Sequence, residues 1–104
     1  MEIKPDLVLQ YTEGNSNKIW GYILNGTSTD SYYTFWGKVG AVIAFKAWPK
    51  DYNSQYAIED MGRKKRRKGY TVTTMNSLPS SAQEKYEQAA TMAMIGLLRV
   101  QKDD

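Results

Sequence analysis

The stretch from residue 32 to 41, which reads YYTFWGKVGA, constrains the fold more than any other part of this chain. Its first five positions hold four aromatic residues, which is typical of a β-strand. The glycines at 37 and 40 indicate that this strand bends, or that another backbone segment comes close to it. Lys38 stands between the two glycines. We therefore expect a kinked strand that carries a large ring, Trp36, next to a cation.

This pairing of a ring with a cation allows two interpretations. On a kinked strand, Trp36 could stack on a sugar or a base while Lys38 contacts a neighbouring phosphate. Alternatively, Trp36 is buried in the sheet and Lys38 points into solvent, because aromatic residues in strands usually belong to the core. For Trp20 and Trp48, whose sheet faces the sequence does not assign, the core is the favoured position.

The residue types missing from the chain exclude several classes of enzyme. Its 104 residues include no cysteine and no histidine, which removes disulfides, typical zinc sites, catalytic triads and the commonest general base. No phosphate-binding loop has the required spacing. We therefore predict a non-catalytic protein without a cofactor.

The first residues lack a signal-peptide pattern, and the longest apolar run, 89–98, is too short to span a bilayer. We therefore expect a soluble, cytoplasmic protein without a membrane partner.

The positive charge is concentrated in one segment. Residues 63–68 read RKKRRK and hold six of the fourteen basic residues, while the whole chain carries a net charge of only +3. Such a block repels itself unless an anion offsets it. Nucleic acid is the usual partner, because Lys and Arg release counterions when they neutralise phosphates. A solvated helix end and a localisation signal are the alternatives.

Strand-like segments fill the first half of the chain. They cover 7–11, 18–24, the aromatic stretch from 32, and 41–48, and turn-rich segments separate the first three of them at 12–17 and 25–31. Four strands in sequence indicate an antiparallel meander. A short segment at 70–74 is a candidate fifth strand. Together with the two helices described next, this predicts an α+β fold with an antiparallel sheet of about five strands.

Two helices are predicted in the second half. The first runs from Ser54, as its N-cap, to about Lys68, with Tyr56, Ala57 and Met61 facing the sheet and Gly69 as its stop. The second follows Pro79 and is apolar on nearly all sides over 89–98, so both of its sides need cover. It could close the open face of the sheet, or it could pack on a second copy or a protein partner through residues 86–100.

Residues 7–70 resemble the WGR domain, a family found in DNA-break-activated poly(ADP-ribose) polymerases and in bacterial proteins. The resemblance lies in NKIW at 17–20, FWGKVG at 35–40, Val42-Ile43, YAIE at 56–59 and KGY at 68–70. It implies a curved antiparallel sheet with one helix packed on it. Residues 1–75 would then form a WGR-like domain, and residues 76–104 a helical extension on the same domain or on a partner.

The resemblance also implies a function and specific residues. In the polymerases this domain touches DNA near a strand break, and its Trp stacks on a terminal sugar. The matching positions here are Trp36 for stacking, Lys38 for a phosphate or polar contact, and Asn17 near the same surface. Lys38 replaces the family's arginine, so this position lacks the planar guanidinium group and keeps only a point charge.

These observations combine into one leading hypothesis and one alternative. The leading hypothesis is a small module that binds nucleic acid, DNA in particular, at ends or breaks and without sequence specificity. The residues expected to bind it are Trp36, Gly37, Lys38, Asn17, Lys18, Lys46, Arg63, Lys64, Arg67 and Lys68. The alternative is a protein-interaction adaptor or inhibitor that acts through the apolar second helix and the basic segment.

Overall fold

The structure, a computed structural model, describes residues 4–25 and 31–94. Within them the fold is α+β, with a five-stranded antiparallel sheet and two α-helices. In chain order the elements are β1 (Leu7–Glu13), β2 (Ser16–Ile23), β3 (Ser31–Lys38), β4 (Ala44–Pro49), α1 (Tyr52–Arg67), β5 (Thr71–Thr73), a 3-10 turn (Met75–Ser77) and α2 (Ser80–Met94). This confirms the predicted fold class.

The sheet is a meander with one added strand. Its strand order is β4-β3-β2-β1-β5, so the first four strands lie side by side in chain order, as predicted, and β5 pairs antiparallel with β1. The first turn is shorter than the predicted 12–17. Glu13 pairs with Ser16, so only Gly14 and Asn15 form the loop. Gly14 has a φ of 60°, which a glycine adopts without steric cost.

Each face of the sheet is covered by one helix, because side chains alternate between the two faces along every strand. On one face, Ile19 and Phe35 belong to a core that α2 completes; on the other, Leu9 and Trp20 pack under Ile58 of α1. Sequence alternation alone does not reveal this arrangement, since β2 and β3 carry large apolar groups on both faces.

Helix α2 packs on the sheet of its own chain over its described length. Its buried side chains join the core on that face: Ala82, Tyr86, Ala90 and Ala93. The Tyr86 ring lies 5.0 Å from that of Phe35, centroid to centroid. Of the partner contact predicted through 86–100, residues 95–100 lie outside the described residues. Neither described α-helix is long and apolar enough to cross a membrane.

Helix α1 begins earlier than predicted, and Ser54 is not its N-cap. Asp51 is the N-cap, and its Oδ1 accepts a hydrogen bond from the Ser54 backbone N–H at 2.7 Å. Ser54 is buried and belongs to the sheet-facing stripe with Ile58 and Gly62, whereas Tyr56 is 59 % exposed. The predicted stripe is therefore wrong at Tyr56, while Met61 does pack against the core on this face. Gly69, with a φ of 112°, follows the end of the helix as predicted.

Replacing Asp51 by alanine is expected to lower the free energy of unfolding by about 1 kcal/mol, because the backbone N–H of Ser54 loses its acceptor at the helix start. Urea denaturation of both proteins would measure this loss. Asp51→Asn is the control, since asparagine also caps helices and should retain most of the stability. Equal destabilisation by both substitutions would contradict a capping role for this side chain.

Candidate functional site

A groove of about 640 Å³ lies on the α1 face of the sheet, over β2, β3 and β4 and beside the last turns of α1. Its walls combine four lysines with aromatic rings, and no carboxylate is among the described residues that line it. The lysines are Lys18, Lys38, Lys46 and Lys65, and the large rings are Trp20, Trp36, Trp48 and Tyr70. We call this feature the lysine groove.

Strand register explains how distant residues reach the lysine groove together. In the β2–β3 pair, Trp20 lies opposite Trp36 and Lys18 lies opposite Lys38. Residues two apart share a face of a strand, so Trp36 and Lys38 point to the α1 face together. In the next pair, Lys46 of β4 lies opposite Thr34. The sheet thereby gathers four of the predicted binding residues, and Gly37 forms part of the same wall.

The three tryptophans occupy different environments. Trp36 is 41 % exposed, whereas Trp20 is almost fully buried under α1, as predicted. Trp48 is only partly buried, so its assignment to the core needs correction: it packs against the α1-side core and also lines the lysine groove. Its Nε1 donates a hydrogen bond to Thr34 Oγ1 at 3.0 Å, which fixes the ring plane. Trp36 therefore has the ring most accessible to a ligand.

The two glycines of the YYTFWGKVGA stretch act as the sequence predicted. A Cβ on Gly37 would lie 2.8 Å from the Val42 carbonyl oxygen, so glycine is needed for a close backbone approach. Gly40 has a φ of 90°, which allows the chain to turn after β3. Residues 41–43 belong to this loop, and β4 begins at Ala44 rather than at the predicted residue 41. Residues 39–43 connect β3 to β4, and none of them lines the lysine groove.

Asn17 anchors this loop rather than lining the lysine groove. Its backbone oxygen accepts a hydrogen bond from the Val39 N–H at 2.9 Å. Its side-chain oxygen accepts one from Gln10 Nε2, also at 2.9 Å. The side chain is exposed, so a direct ligand contact by Asn17 stays a prediction, while its backbone positions the residues that follow Lys38.

Helix geometry divides the basic segment 63–68. With about 3.6 residues per turn, Lys65 falls on the same side as Ile58 and Met61, and it is the cation of this segment that lines the lysine groove. The other predicted cations of the segment are exposed and are not among the residues that line the groove: Arg63, Lys64, Arg67 and Lys68. Their predicted phosphate contacts are untested. Lys65 was missing from the predicted site, although its spacing from Met61 is a signal that could have found it.

Asp60 partly neutralises the exposed side of this helix. Its carboxylate lies 3.2 Å from Lys64 Nζ and 3.5 Å from an Arg63 guanidinium nitrogen. The hydrogen bond from Lys64, together with both positive charges, lowers the pKa of Asp60. The pKa of Lys65 is also lowered, but there the surroundings disfavour the charged form of the side chain. Burial, followed by the charges of Lys68 and Lys18, lowers its pKa because each disfavours the protonated amine.

The composition of the lysine groove defines what it can hold. It offers an exposed indole and four cations, a combination suited to an anion that also has a flat ring or a sugar. Within the described residues, no cluster of acidic side chains could hold a metal ion. Comparisons with protein-family models, with curated proteins and with solved structures find no match to this chain.

Proposed function

We propose that this protein is a non-catalytic module that binds nucleic acid, DNA in particular, through the lysine groove and without sequence preference. The observation that carries the proposal is Trp36, a 41 % exposed ring in a groove whose described walls hold four lysines and no carboxylate. A base or sugar stacks on such a ring whatever its sequence. The lysines then neutralise the adjoining phosphates.

The position of Trp36 between cations supports this assignment. Along β3, Thr34, Trp36 and Lys38 share one face; Lys46 lies opposite Thr34, and Lys18 lies opposite Lys38. A nucleic-acid strand whose base or sugar stacks on Trp36 would therefore meet cations on both sides of the ring. The resemblance to the WGR domain supports the same roles for Trp36 and Lys38, with a strand end as the preferred target.

The exposed cations of α1 supply long-range attraction in this proposal. Arg63, Lys64 and Arg67 lie on the same helix as Lys65, Lys68 caps its C-terminal end, and none of the four lines the groove. Exposed charges steer an anionic ligand and add affinity that falls with salt. They carry no information about sequence, which is consistent with a module that recognises backbone and ends.

Fluorescence anisotropy tests the function directly. The probes are a labelled duplex with free ends, the same duplex with both ends closed by hairpins, and the corresponding single strand, each at low and at high salt. We expect the free-ended duplex to bind more tightly than the closed one. We also expect affinity for duplex to fall with salt, with a logarithmic slope of about −0.9 per phosphate contacted.

Each possible result has a distinct meaning for the proposal. Equal binding to open and closed duplexes would retain nucleic-acid binding and remove the preference for ends. Absence of binding to all three probes at low salt would contradict the proposal. The basic surface would then favour an acidic protein as partner, in line with the adaptor hypothesis.

A further inference from the structure

We propose that Lys18, Lys38 and Lys65 form a binding site for one phosphate group at the end of the lysine groove, and that Lys65 is the cation of the basic segment that enters it. We call these three residues the lysine triad. The inference rests on the proposed function for the source of the phosphate, which is the backbone of a nucleic acid. The proposal gives Lys65 a role that the other five cations of the basic segment 63–68 do not have.

Like charges are paired across β2 and β3. Lys18 and Lys38 lie directly opposite each other in the antiparallel register. Like charges in such a pair destabilise a sheet. Within residues 4–25 and 31–94, neither they nor Lys65 forms an ion pair with a carboxylate. A bound anion would remove this repulsion.

Aromatic rings position two of the three ammonium groups. Lys18 Nζ lies 5.5 Å from the centroid of the Tyr11 ring, and Lys65 Nζ lies 5.2 Å from that of Tyr70. The two rings are themselves in contact, with centroids 5.1 Å apart. Both ammonium groups are therefore held over neighbouring rings before any ligand arrives. This reduces the rotamer entropy that binding must overcome.

The surrounding charges are consistent with an anion site. The Glu13 carboxylate is engaged by Tyr11, from whose hydroxyl it accepts a hydrogen bond at 2.9 Å. It fixes the ring over which Lys18 lies and is not part of the groove wall. The charge of Lys18 also contributes to the lowered pKa of Lys65, so the two amines interact electrostatically.

A matched pair of variants tests the role of Lys65. Lys65→Gln and Lys64→Gln remove the same charge from adjacent positions, and both residues have similar helix propensities. We expect Lys65→Gln to weaken binding of a labelled single strand about tenfold, the size of a lost charge-assisted hydrogen bond. Its salt slope should also fall by about the value of one phosphate contact. Lys64→Gln should change both quantities much less.

Three further measurements make the outcome decisive. Lys65→Arg should retain most of the affinity, because it keeps the charge. Circular dichroism should show that every variant is folded. Titration of the wild-type protein with inorganic phosphate, followed by NMR, should shift the side-chain signals of the lysine triad more than those of Lys64.

Two results would overturn the lysine triad. Equal loss of affinity in Lys65→Gln and Lys64→Gln would reduce Lys65 to one charge among six, while nucleic-acid binding itself would stand. Equal, small NMR shifts for the lysine triad and Lys64 would likewise exclude a specific phosphate site. If the wild-type protein binds no nucleic acid yet phosphate shifts the lysine triad, the anion site stands and the proposed function fails.

Discussion

Phe35→Ala is expected to lower the free energy of unfolding by about 3–5 kcal/mol, the usual cost of removing a buried aromatic ring. Phe35 is fully buried between the sheet and α2. Its ring lies 5.4 Å from that of Phe45 and 5.0 Å from that of Tyr86. It also covers Gly21 on the neighbouring strand, where a Cβ would lie 2.4 Å from a Phe35 ring carbon. The substitution therefore leaves a cavity that the two aromatic neighbours, Phe45 and Tyr86, cannot easily fill. Urea denaturation measures the loss.

The control for this prediction is Phe35→Leu, which keeps much of the volume and should cost less than the alanine variant. A loss below about 1 kcal/mol for Phe35→Ala would mean that the α2 side of the sheet is not a well-packed core, because core truncations cost more than that. The result would also weaken the conclusion that α2 stabilises its own sheet through Tyr86.

Trp36→Ala is expected to weaken nucleic-acid binding by about 1–3 kcal/mol, the range measured when a stacking aromatic is removed, or roughly 5- to 150-fold in Kd. The residue directly follows Phe35 in β3 and points to the opposite face, into the lysine groove. Since its ring is 41 % exposed, stability should change much less than in Phe35→Ala. Anisotropy with the free-ended duplex measures the affinity.

The salt dependence separates stacking from a general loss of affinity. Trp36 carries no charge, so the variant should bind more weakly with an unchanged salt slope. Tyr56→Ala is the matched control, since Tyr56 is an exposed ring on α1 outside the lysine groove. It should leave binding unchanged. If Trp36→Ala binds as tightly as the wild-type protein, the hypothesis that nucleic acid stacks on this ring is wrong, even if the lysines contribute to binding.

Much of the fold follows from local patterns in the chain. The turn at Gly14, the kink of the YYTFWGKVGA stretch and the helix stop at Gly69 all depend on glycine conformations, which neighbouring residues determine. The meander follows from short connections between sequential strands. Boundaries were less predictable: Asp51 and Ser54 can both cap a helix, and residues 41–43 are as apolar as a strand but form a loop.

The two neighbours Phe35 and Trp36 show where sequence reasoning ends. Both are large rings in the same strand, and alternation places them on opposite faces. Alternation does not indicate which of the two faces is covered more completely by a helix. In the structure, α2 seals one face over Phe35, while α1 covers Trp20 and leaves Trp36 open beyond its last turns. Exposure of Trp36 is therefore a property of helix placement, which depends on contacts between residues far apart in sequence.

Local sequence patterns specify the approximate positions of the helices and strands, the glycine-bounded kink, the concentration of charge at 63–68 and the types of residue available for binding. These depend on composition and on the conformational preferences of neighbouring residues. Which side chains meet depends instead on how the separate elements pack together. Strand register brought Lys18 opposite Lys38, and the packing of α1 placed Lys65, but not the other cations of the basic segment, in the wall of the same groove. Such contacts arise from burying apolar faces of separate elements together, and no single stretch of the chain encodes that geometry.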